Sequence, residues 1–402
     1  MAQQTTNHIL MIRPVRFAYN EQTAANNAFQ DASQQHAADT QAKALQEFDA
    51  MVRTLGRKGV QLTVIEDTPE PHTPDSIFPN NWASYHEDGT VILYPMYAPN
   101  RRLERRMDII ERFKERYEVS RIIDMSHYET QGKFLESTGS VIFDRPNKLI
   151  YACYSPRTDR ELLEELAQHL GYTAVGFEAQ DRQGQEIYHT NVLMCLGTQI
   201  AVICMEAVTK AEEKAMLLAH FERTGKTVVD ISWTQMEQFA GNMLEVQNED
   251  DEALLVMSKT AYDALTDEQR ETLAQAATLV PCAIPTIERN GGGSARCMMS
   301  EIFLPLQKKT MPSSEPTQHY DPTTHKAHSI SAFMQTLIDF EAQITKREFQ
   351  KIFGADAGLI LWHKFTQNCG SNTTILYRIL DEQEQEMFDA YIEKCIRFRK
   401  YE

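Results

Sequence analysis

Apolar and polar positions alternate in a recurring block of about fifty to sixty residues that begins near residue 78. Each block has two apolar, strongly β-forming runs around a short polar turn, then a polar segment with helical periodicity. The β-rich runs occupy residues 82–97, 138–155, 190–205 and 242–258, and helices are predicted at about 100–117, 158–170, 209–224 and 261–278. The turn at residues 86–89 is typical of a hairpin. The pattern therefore predicts four copies of a hairpin-plus-helix unit.

A fifth unit can be assembled from the two ends of this region. Its parts are a strand at 8–17, a long helix at about 33–58, a strand at 60–66 and a last strand around 295–305. Five α/β units around a common axis, with the helices outside, would bury the apolar strands and gather the loops around one central pocket. Periodicity alone leaves twofold or open arrangements possible.

The pattern changes after Leu306. Residues 307–329 carry three prolines among polar residues and show no periodicity, which indicates a linker or a strap along the surface. Residues 330–402 regain helical character around a β-prone middle, so we expect a small α+β C-terminal module. No chemistry can be attached to this module from its residues.

Composition and charge exclude several classes of partner. No apolar run approaches the roughly 20 residues that a membrane span needs, so no membrane association is expected. The net charge of -17 would repel a phosphate backbone, which makes nucleic acid an unsuitable partner. The first residues lack a cationic stretch followed by an apolar one, so the cytoplasm is the expected location.

The seven cysteines are odd in number, scattered and without CxxC or CxxH spacing, so neither a zinc site nor a disulfide framework is indicated. Cys153, Cys195 and Cys204 lie in apolar runs, where cysteine usually behaves as a small hydrophobe. Cys297 differs, because it follows three glycines and Arg296. Positive charge and exposed backbone N–H groups favour a thiolate, so Cys297 is a candidate nucleophile. The alternative is a flexible loop with an incidental cysteine.

Four segments together resemble the guanidino-group modifying enzymes: FPNNW at 78–82, LESTGSVIFD at 135–144, YHTN at 188–191 and GGGSARC at 291–297. That superfamily includes arginine deiminases, dimethylarginine hydrolases, succinylarginine dihydrolase and amidinotransferases. Its fold is the five-bladed pseudo-symmetric α/β propeller, or pentein. The resemblance covers about residues 8–306, with the motifs in the expected order, and implies a catalytic α/β propeller over residues 1–306.

The resemblance also implies roles for three residues. Cys297 matches the nucleophile, His189 the general acid and base, and Glu136 the carboxylate that orients His189 or the substrate nitrogens. Attack on a planar, resonance-stabilised carbon needs a soft nucleophile, a proton donor for the departing amine and a base for water, and these three side chains supply them. The structural alternatives are a packed histidine at His189 and a solvated acid at Glu136.

Two positions depart from the pattern of the deiminases. Where those enzymes have aspartates that chelate the guanidinium, this chain has Asn81 and Asn191. A neutral carboxamide can bond both the C=O and the NH₂ of a ureido group, but it offers no charge to a buried cation. The substitutions favour the neutral ureido group of citrulline, in agreement with citrulline-utilisation hydrolases, whose FPNNW and MIRP motifs the chain resembles.

Four further residues are candidates for the pocket. Phe78 could stack on the planar ureido group, or could plug the core. Arg13 could bind a substrate carboxylate through both of its terminal nitrogens. Asn242 could hydrogen-bond the amino-acid end, and Gly293 has no Cβ to obstruct a ligand.

The implied reaction is hydrolysis of citrulline to ornithine, carbon dioxide and ammonia through a thioester on Cys297. It requires no metal and no organic cofactor, and a homo-oligomer is compatible with the sequence. The alternatives are an arginine or agmatine deiminase, a dihydrolase of a modified arginine, and amidino transfer to an amine. A propeller that binds a metabolite or protein without catalysis is an alternative of another class.

Overall fold

The computed structural model describes residues 2–24, 27, 29–30 and 37–307. The described residues within Met1–Met51 and Val64–Leu306 form one compact unit, and Val52–Thr63 with Gln307 belong to a second. Apart from Gln307, the predicted linker and C-terminal module lie outside the described residues.

The strands of the described chain form five three-stranded sheets, ordered β15-β1-β2, β3-β4-β5, β6-β7-β8, β11-β10-β9 and β12-β13-β14. The strands are β1 His8–Arg13, β2 Gln61–Glu66, β3 Ala83–Tyr85, β4 Thr90–Leu93, β5 Arg121–Asp124, β6 Ile142–Asp144, β7 Leu149–Cys153, β8 Thr173–Phe177, β9 Met194–Leu196, β10 Ile200–Ile203, β11 Thr227–Asp230, β12 Leu244–Gln247, β13 Ala253–Ser258, β14 Thr278–Cys282 and β15 Ser300–Glu301. The α/β fold class predicted from the repeat is confirmed.

Helices connect the strands within and between the sheets. They are α1 Glu21–Ala24, α2 Ala37–Arg57, α3 Pro99–Arg102, α4 Met107–Arg116, α5 Ser137–Ser140, α6 Arg160–Leu170, α7 Thr190–Leu193, α8 Ala211–Arg223, α9 Trp233–Glu237, α10 Lys259–Ala264, α11 Asp267–Ala276 and α12 Pro285–Gly291. Short 3₁₀ helices occupy Pro79–Asn81, Ser126–Gln131, Met205–Ala207 and Ala295–Met298. The helix predicted at 261–278 is two helices, because Thr266 caps the second of them in a reciprocal pair with Gln269.

Four of the sheets repeat one connection. An antiparallel hairpin, such as β9–β10 with Ala201 opposite Leu196, is followed by a helix and a strand parallel to the second one, such as β11 with Thr227 opposite Ile200. The hairpins were predicted, but the third strands were not. Strand β11 is only four residues long and exposes both of its ends, so it lacks the continuous apolar run that marks the hairpin strands.

The sheets contact one another in a ring. Strand β9 touches β6 on one side and β12 on the other, and β15 touches β3. The 3₁₀ helix at Ala295–Met298 contacts both β13 and the 3₁₀ helix Pro79–Asn81. This is the five-fold pseudo-symmetric pentein arrangement.

Each sheet buries one face beneath its helices. In the sheet that contains β3, Phe113 of α4 packs edge-on against Tyr85, with 5.1 Å between their ring centroids, and Trp82 lies in the same apolar cluster. The short segments just before the first strands touch one another: Pro79–Asn81 contacts α5 and the 3₁₀ helix Ala295–Met298, and α5 contacts α7. Among the described residues, no helix has the length and apolar character that crossing a membrane requires.

Candidate active site

The segments before β3, β6, β9, β12 and β15 bring the predicted site residues together. A cavity of about 20 Å³ lies among them, and it is lined by Asn27, Asp75, Phe78, Asn81, Arg101, Arg157, Tyr188, His189, Gly291, Gly292, Gly293 and Cys297. Five of the residues singled out in the sequence are therefore on its wall: Phe78, Asn81, His189, Gly293 and Cys297.

Glu136 lies directly behind His189. The Nε2 atom of His189 is 2.7 Å from Oε2 of Glu136, and both side chains are buried. The other carboxylate oxygen accepts the backbone N–H of Tyr97 at 2.8 Å, and the guanidinium of Arg157 lies 3.5 Å from Oε2. Both carboxylate oxygens of Glu136 therefore contact protein groups, and the hydrogen bond to Oε2 orients the imidazole of His189.

Burial and charge set the protonation states of this pair. Burial alone would raise the pKa of Glu136, but the ion pair with Arg157 and the hydrogen bond from His189 hold it below its ordinary value. Burial lowers the pKa of His189 to about 4, although the bond to Glu136 acts in the opposite direction. At neutral pH His189 is therefore uncharged. Because Nε2 faces a carboxylate, the network assigns the proton to Nε2 and leaves Nδ1 as an acceptor.

The short helix α5 holds Glu136 in place through its hydroxyl side chains. Ser137 has a backbone φ of 40°, a left-handed conformation that is costly for a side chain other than glycine. Its hydroxyl donates to the carbonyl of Ala83, while the Ser140 hydroxyl accepts the N–H of Glu136. Gly139 in the same helix lies against the ring of His189, where an added Cβ would come within 2.8 Å of its Nδ1.

Cys297 lies in the 3₁₀ helix Ala295–Met298 and is buried, with 6% of its surface exposed. Two carboxamides touch its sulfur: Nδ2 of Asn242 at 3.3 Å and Nδ2 of Asn191 at 3.5 Å. We expected Arg296 to supply positive charge beside the thiol, but its guanidinium binds the carbonyl of Met299 and the carboxylate of Glu301 instead. The hydrogen-bond donors at the sulfur are therefore the uncharged carboxamides of Asn191 and Asn242.

The glycines before Cys297 are needed for close packing on Phe78. A Cβ on Gly291 would come within 2.7 Å of the Phe78 ring, and one on Gly293 within 2.9 Å. Gly292 ends α12 with φ of 63°, a conformation that glycine adopts without strain. Phe78 therefore forms one wall of the cavity and also supports the loop that carries Cys297.

The cavity also has a charged end that sequence analysis missed. It consists of Asp75, Arg101 and Arg157, all buried. One carboxylate oxygen of Asp75 accepts a hydrogen bond from Asn20 at 2.7 Å, while its Oδ1 has no partner among the described residues. Burial raises the pKa of Asp75 even though Arg101 acts to lower it.

Arg101 links the charged end to the reacting end. It forms two hydrogen bonds of 3.0 and 2.9 Å with Glu104, and its Nη1 donates to Oδ1 of Asn81 at 2.8 Å. The sequence carried a usable signal, since Asp75 precedes Phe78 by three residues in DSIFPNNW. The signal was weak for Arg101, which is the first of four arginines between residues 101 and 106, and for Arg157, which lies in a turn.

Arg13 is not brought to the cavity. Its guanidinium is paired with both oxygens of Asp49 at 2.9 Å, and Glu66 lies 3.5 Å from Nη1. This buried cluster joins β1 to α2 and β2, so Arg13 has a structural contact there and does not line the cavity. Within the described ranges, no group of three or more His, Cys, Asp or Glu side chains is arranged to hold a metal ion.

The family model for eukaryotic N,N-dimethylarginine dimethylhydrolases matches residues 13–304. The chain belongs to this family. No curated protein matches the chain.

Solved structures share the fold of this dimethylarginine dimethylhydrolase family member at low sequence identity. ArgZ, an arginine dihydrolase from the ornithine-ammonia cycle in Cyanobacteria, is 17% identical with a TM-score of 0.59, and the match covers 75% of this chain and 41% of that one. The chain thus corresponds to about two fifths of the length of ArgZ.

Two smaller structures are covered almost completely. The N-terminal domain of ArgZ, bound to its product, is 18% identical with a TM-score of 0.58, over 74% of this chain and 99% of the domain. A dimethylarginine dimethylaminohydrolase adduct with 4-chloro-2-hydroxymethylpyridine is 18% identical with a TM-score of 0.51, over 74% of this chain and 100% of the other. At these identities the likeness concerns the fold.

Proposed function

We propose that the protein hydrolyses the ureido group of citrulline, giving ornithine, carbon dioxide and ammonia. The observation that carries this proposal is the lining of the cavity, where the charged side chains of Asp75, Arg101 and Arg157 occur together with the carboxamide of Asn81 and the thiol of Cys297. A free α-amino acid with a neutral ureido side chain has the complementary distribution of charge.

The charged end suits an intact amino-acid group. Arg101 and Arg157 can bind a carboxylate through planar guanidinium groups. The unpaired Oδ1 of Asp75 can accept a hydrogen bond from an α-ammonium group. A substrate that lacks the carboxylate, such as agmatine, could not make these contacts with the two guanidinium groups. An N-acylated arginine has no ammonium group that could donate a hydrogen bond to Oδ1 of Asp75.

The reacting end suits a neutral group. Nδ2 of Asn81 and Oδ1 of Asn191 are buried and have no partner among the described residues, so one donor and one acceptor are available there. A ureido C=O and NH₂ would satisfy both of them. A guanidinium at the same place would lie near Arg101, whose Nη1 is 2.8 Å from Asn81, and like charges in a buried site repel strongly.

The reaction follows from the states of Cys297 and His189. Uncharged His189 takes the thiol proton, the sulfur attacks the ureido carbon, and the bond from that carbon to the ornithine nitrogen breaks as the imidazolium returns the proton to that nitrogen. A carbamoyl thioester remains on Cys297. His189 then removes a proton from water, which attacks the thioester and releases the thiol and carbamate, and carbamate yields carbon dioxide and ammonia. Glu136 stabilises the imidazolium in both halves.

Arginine dihydrolysis is the second candidate. It is favoured by family membership and by Asp75. The carboxylate of Asp75 gives a cationic substrate a negatively charged partner in the cavity that sequence analysis had not found. Ornithine is a product in both cases, because complete hydrolysis at the guanidino carbon of arginine also leaves the primary amine of ornithine.

Incubation of the full chain with citrulline, arginine, agmatine and dimethylarginine, followed by mass spectrometry of the products, separates the candidates. We expect ornithine from citrulline and none from arginine, and no turnover by Cys297→Ser. Ornithine from arginine at a comparable rate would replace the first candidate with the second. Citrulline from dimethylarginine would refute both.

A further inference from the structure

Asn242 was expected to bind the amino-acid end of the substrate, but its side chain lies at the sulfur of Cys297. Nδ2 is 3.3 Å and Oδ1 3.6 Å from Sγ, and the residue is buried. Asn242 is 1% exposed and Cys297 is 6% exposed.

Two backbone groups determine which way the carboxamide of Asn242 faces. Its Oδ1 accepts the N–H of Arg296 at 3.1 Å, and its Nδ2 donates to the carbonyl of Asn191 at 2.8 Å. Exchanging the two atoms would place N–H against N–H and C=O against C=O, which costs two buried hydrogen bonds. The second hydrogen on Nδ2 therefore remains available to the sulfur.

We propose that Asn242 is a positioning residue that holds and stabilises the sulfur anion of Cys297 through this fixed N–H, with Asn191 as the second donor at 3.5 Å. The proposal rests on the proposed role of Cys297 as nucleophile. In the thiol form, Oδ1 can accept the S–H instead, so Asn242 contacts the sulfur before and after the proton moves to His189.

Other charged and titratable groups also line the cavity near the Cys297 sulfur. Substitution of Asn242 leaves these groups in place, so their electrostatic effect on the sulfur is common to the wild type and the variants. These groups are Asp75, Arg101, Arg157, Tyr188 and His189. Among the described residues, however, the side chains that donate hydrogen bonds to the Cys297 sulfur are the carboxamides of Asn191 and Asn242. A thiolate held by neutral N–H groups is stabilised without adding a cation beside the substrate's reacting carbon.

The test is the pH dependence of alkylation of Cys297 by iodoacetamide, read on the peptide that contains it in the full chain. Asn242→Ala removes the donor without adding charge, and Asn242→Asp keeps the shape but presents a carboxylate. We expect the midpoint of the alkylation profile to rise by about one to two pH units in Asn242→Ala, equal to a ten- to hundredfold loss of rate at neutral pH, and by more in Asn242→Asp. The value of kcat should fall with little change in KM.

Asn248→Ala is the matched control, because Asn248 is a buried asparagine on the same hairpin that bonds Glu252 and does not touch Cys297. Its alkylation profile should equal that of the wild type. The proposal is overturned if an Asn242 variant with the wild-type unfolding temperature keeps the wild-type pH profile of alkylation. If Asn242→Ala does not fold, the alkylation profile of Asn242→Asp is the test. Failure of the proposed function would show separately, because the wild-type protein would then not hydrolyse citrulline. The alkylation measurements would still test the role of Asn242.

Discussion

Oε2 of Glu136 lies 2.7 Å from Nε2 of His189, inside a site where neither side chain is exposed to water. Glu136→Gln keeps the shape but removes the charge that stabilises an imidazolium. We expect kcat to fall by about 10²–10³-fold, with KM little changed, in steady-state assays with citrulline. Glu301→Gln is a control, since Glu301 pairs with Arg296 away from the cavity. A loss confined to KM would contradict the role proposed for Glu136.

Gly139 permits the close approach of His189 and Asn81. A Cβ there would come within 2.3 Å of Nδ2 of Asn81 and 2.8 Å of the His189 ring. Gly139→Ala should therefore displace the imidazole and lower kcat/KM at least tenfold, while the chain still folds. Gly132→Ala is not an equivalent control because its φ is 69°. Gly56→Ala is suitable, since an added Cβ there meets nothing within 4 Å.

The imidazole of His189 should remain uncharged in mildly acidic solution. Its pKa is lowered to about 4 by burial, so protonation sets in only well below the usual value of about 6.5. In NMR titrations assigned with His189→Gln, we expect its resonances to stay at neutral positions from about pH 7 to about pH 5.5. A titration centred near pH 6.5 would show that the ring is more hydrated or more strongly paired than the structure indicates.

Arg13 should contribute to stability and not to substrate binding. Arg13→Ala leaves Asp49 as a buried carboxylate without its cation, which typically costs about 3–5 kcal/mol in the free energy of unfolding. Arg16→Ala removes an exposed ion pair with Glu70 and should cost about 1 kcal/mol or less. Urea unfolding measures both. A rise in KM for citrulline in folded Arg13→Ala, with unchanged stability, would restore the substrate-binding role.

Asp75 should select substrates that carry an α-ammonium group. Asp75→Asn removes the charge while keeping the bond from Asn20 possible, so we expect KM for citrulline to rise by about ten- to a hundredfold. The corresponding change for N-acetylcitrulline should be small, because that compound has no ammonium group. Asp108→Asn, which alters an exposed carboxylate, should leave both KM values unchanged. An equal rise in KM for both compounds would place Asp75 elsewhere in the mechanism.

Local patterns determined the architecture of the repeating unit. The paired β-forming runs predicted the hairpins because apolar side chains on short strands must be buried. This requirement does not depend on which element packs against the sheet. The glycines before Cys297 likewise marked a close approach, since a Cβ on Gly291 or Gly293 would collide with Phe78. The residues around His189 and Glu136 stood out through their motifs, although they are far apart in the chain.

Only the tertiary structure decided which charged side chains meet the cavity. Arg13 and Arg101 are both arginines next to apolar segments, yet one is paired with Asp49 and the other reaches Asn81. The orientation of Asn242 depends on the backbone of Arg296 and Asn191, which belong to other blades of the ring. Hydrogen bonds and ion pairs act over a few ångströms in space, so they depend on how distant segments pack and leave no periodic trace along the chain.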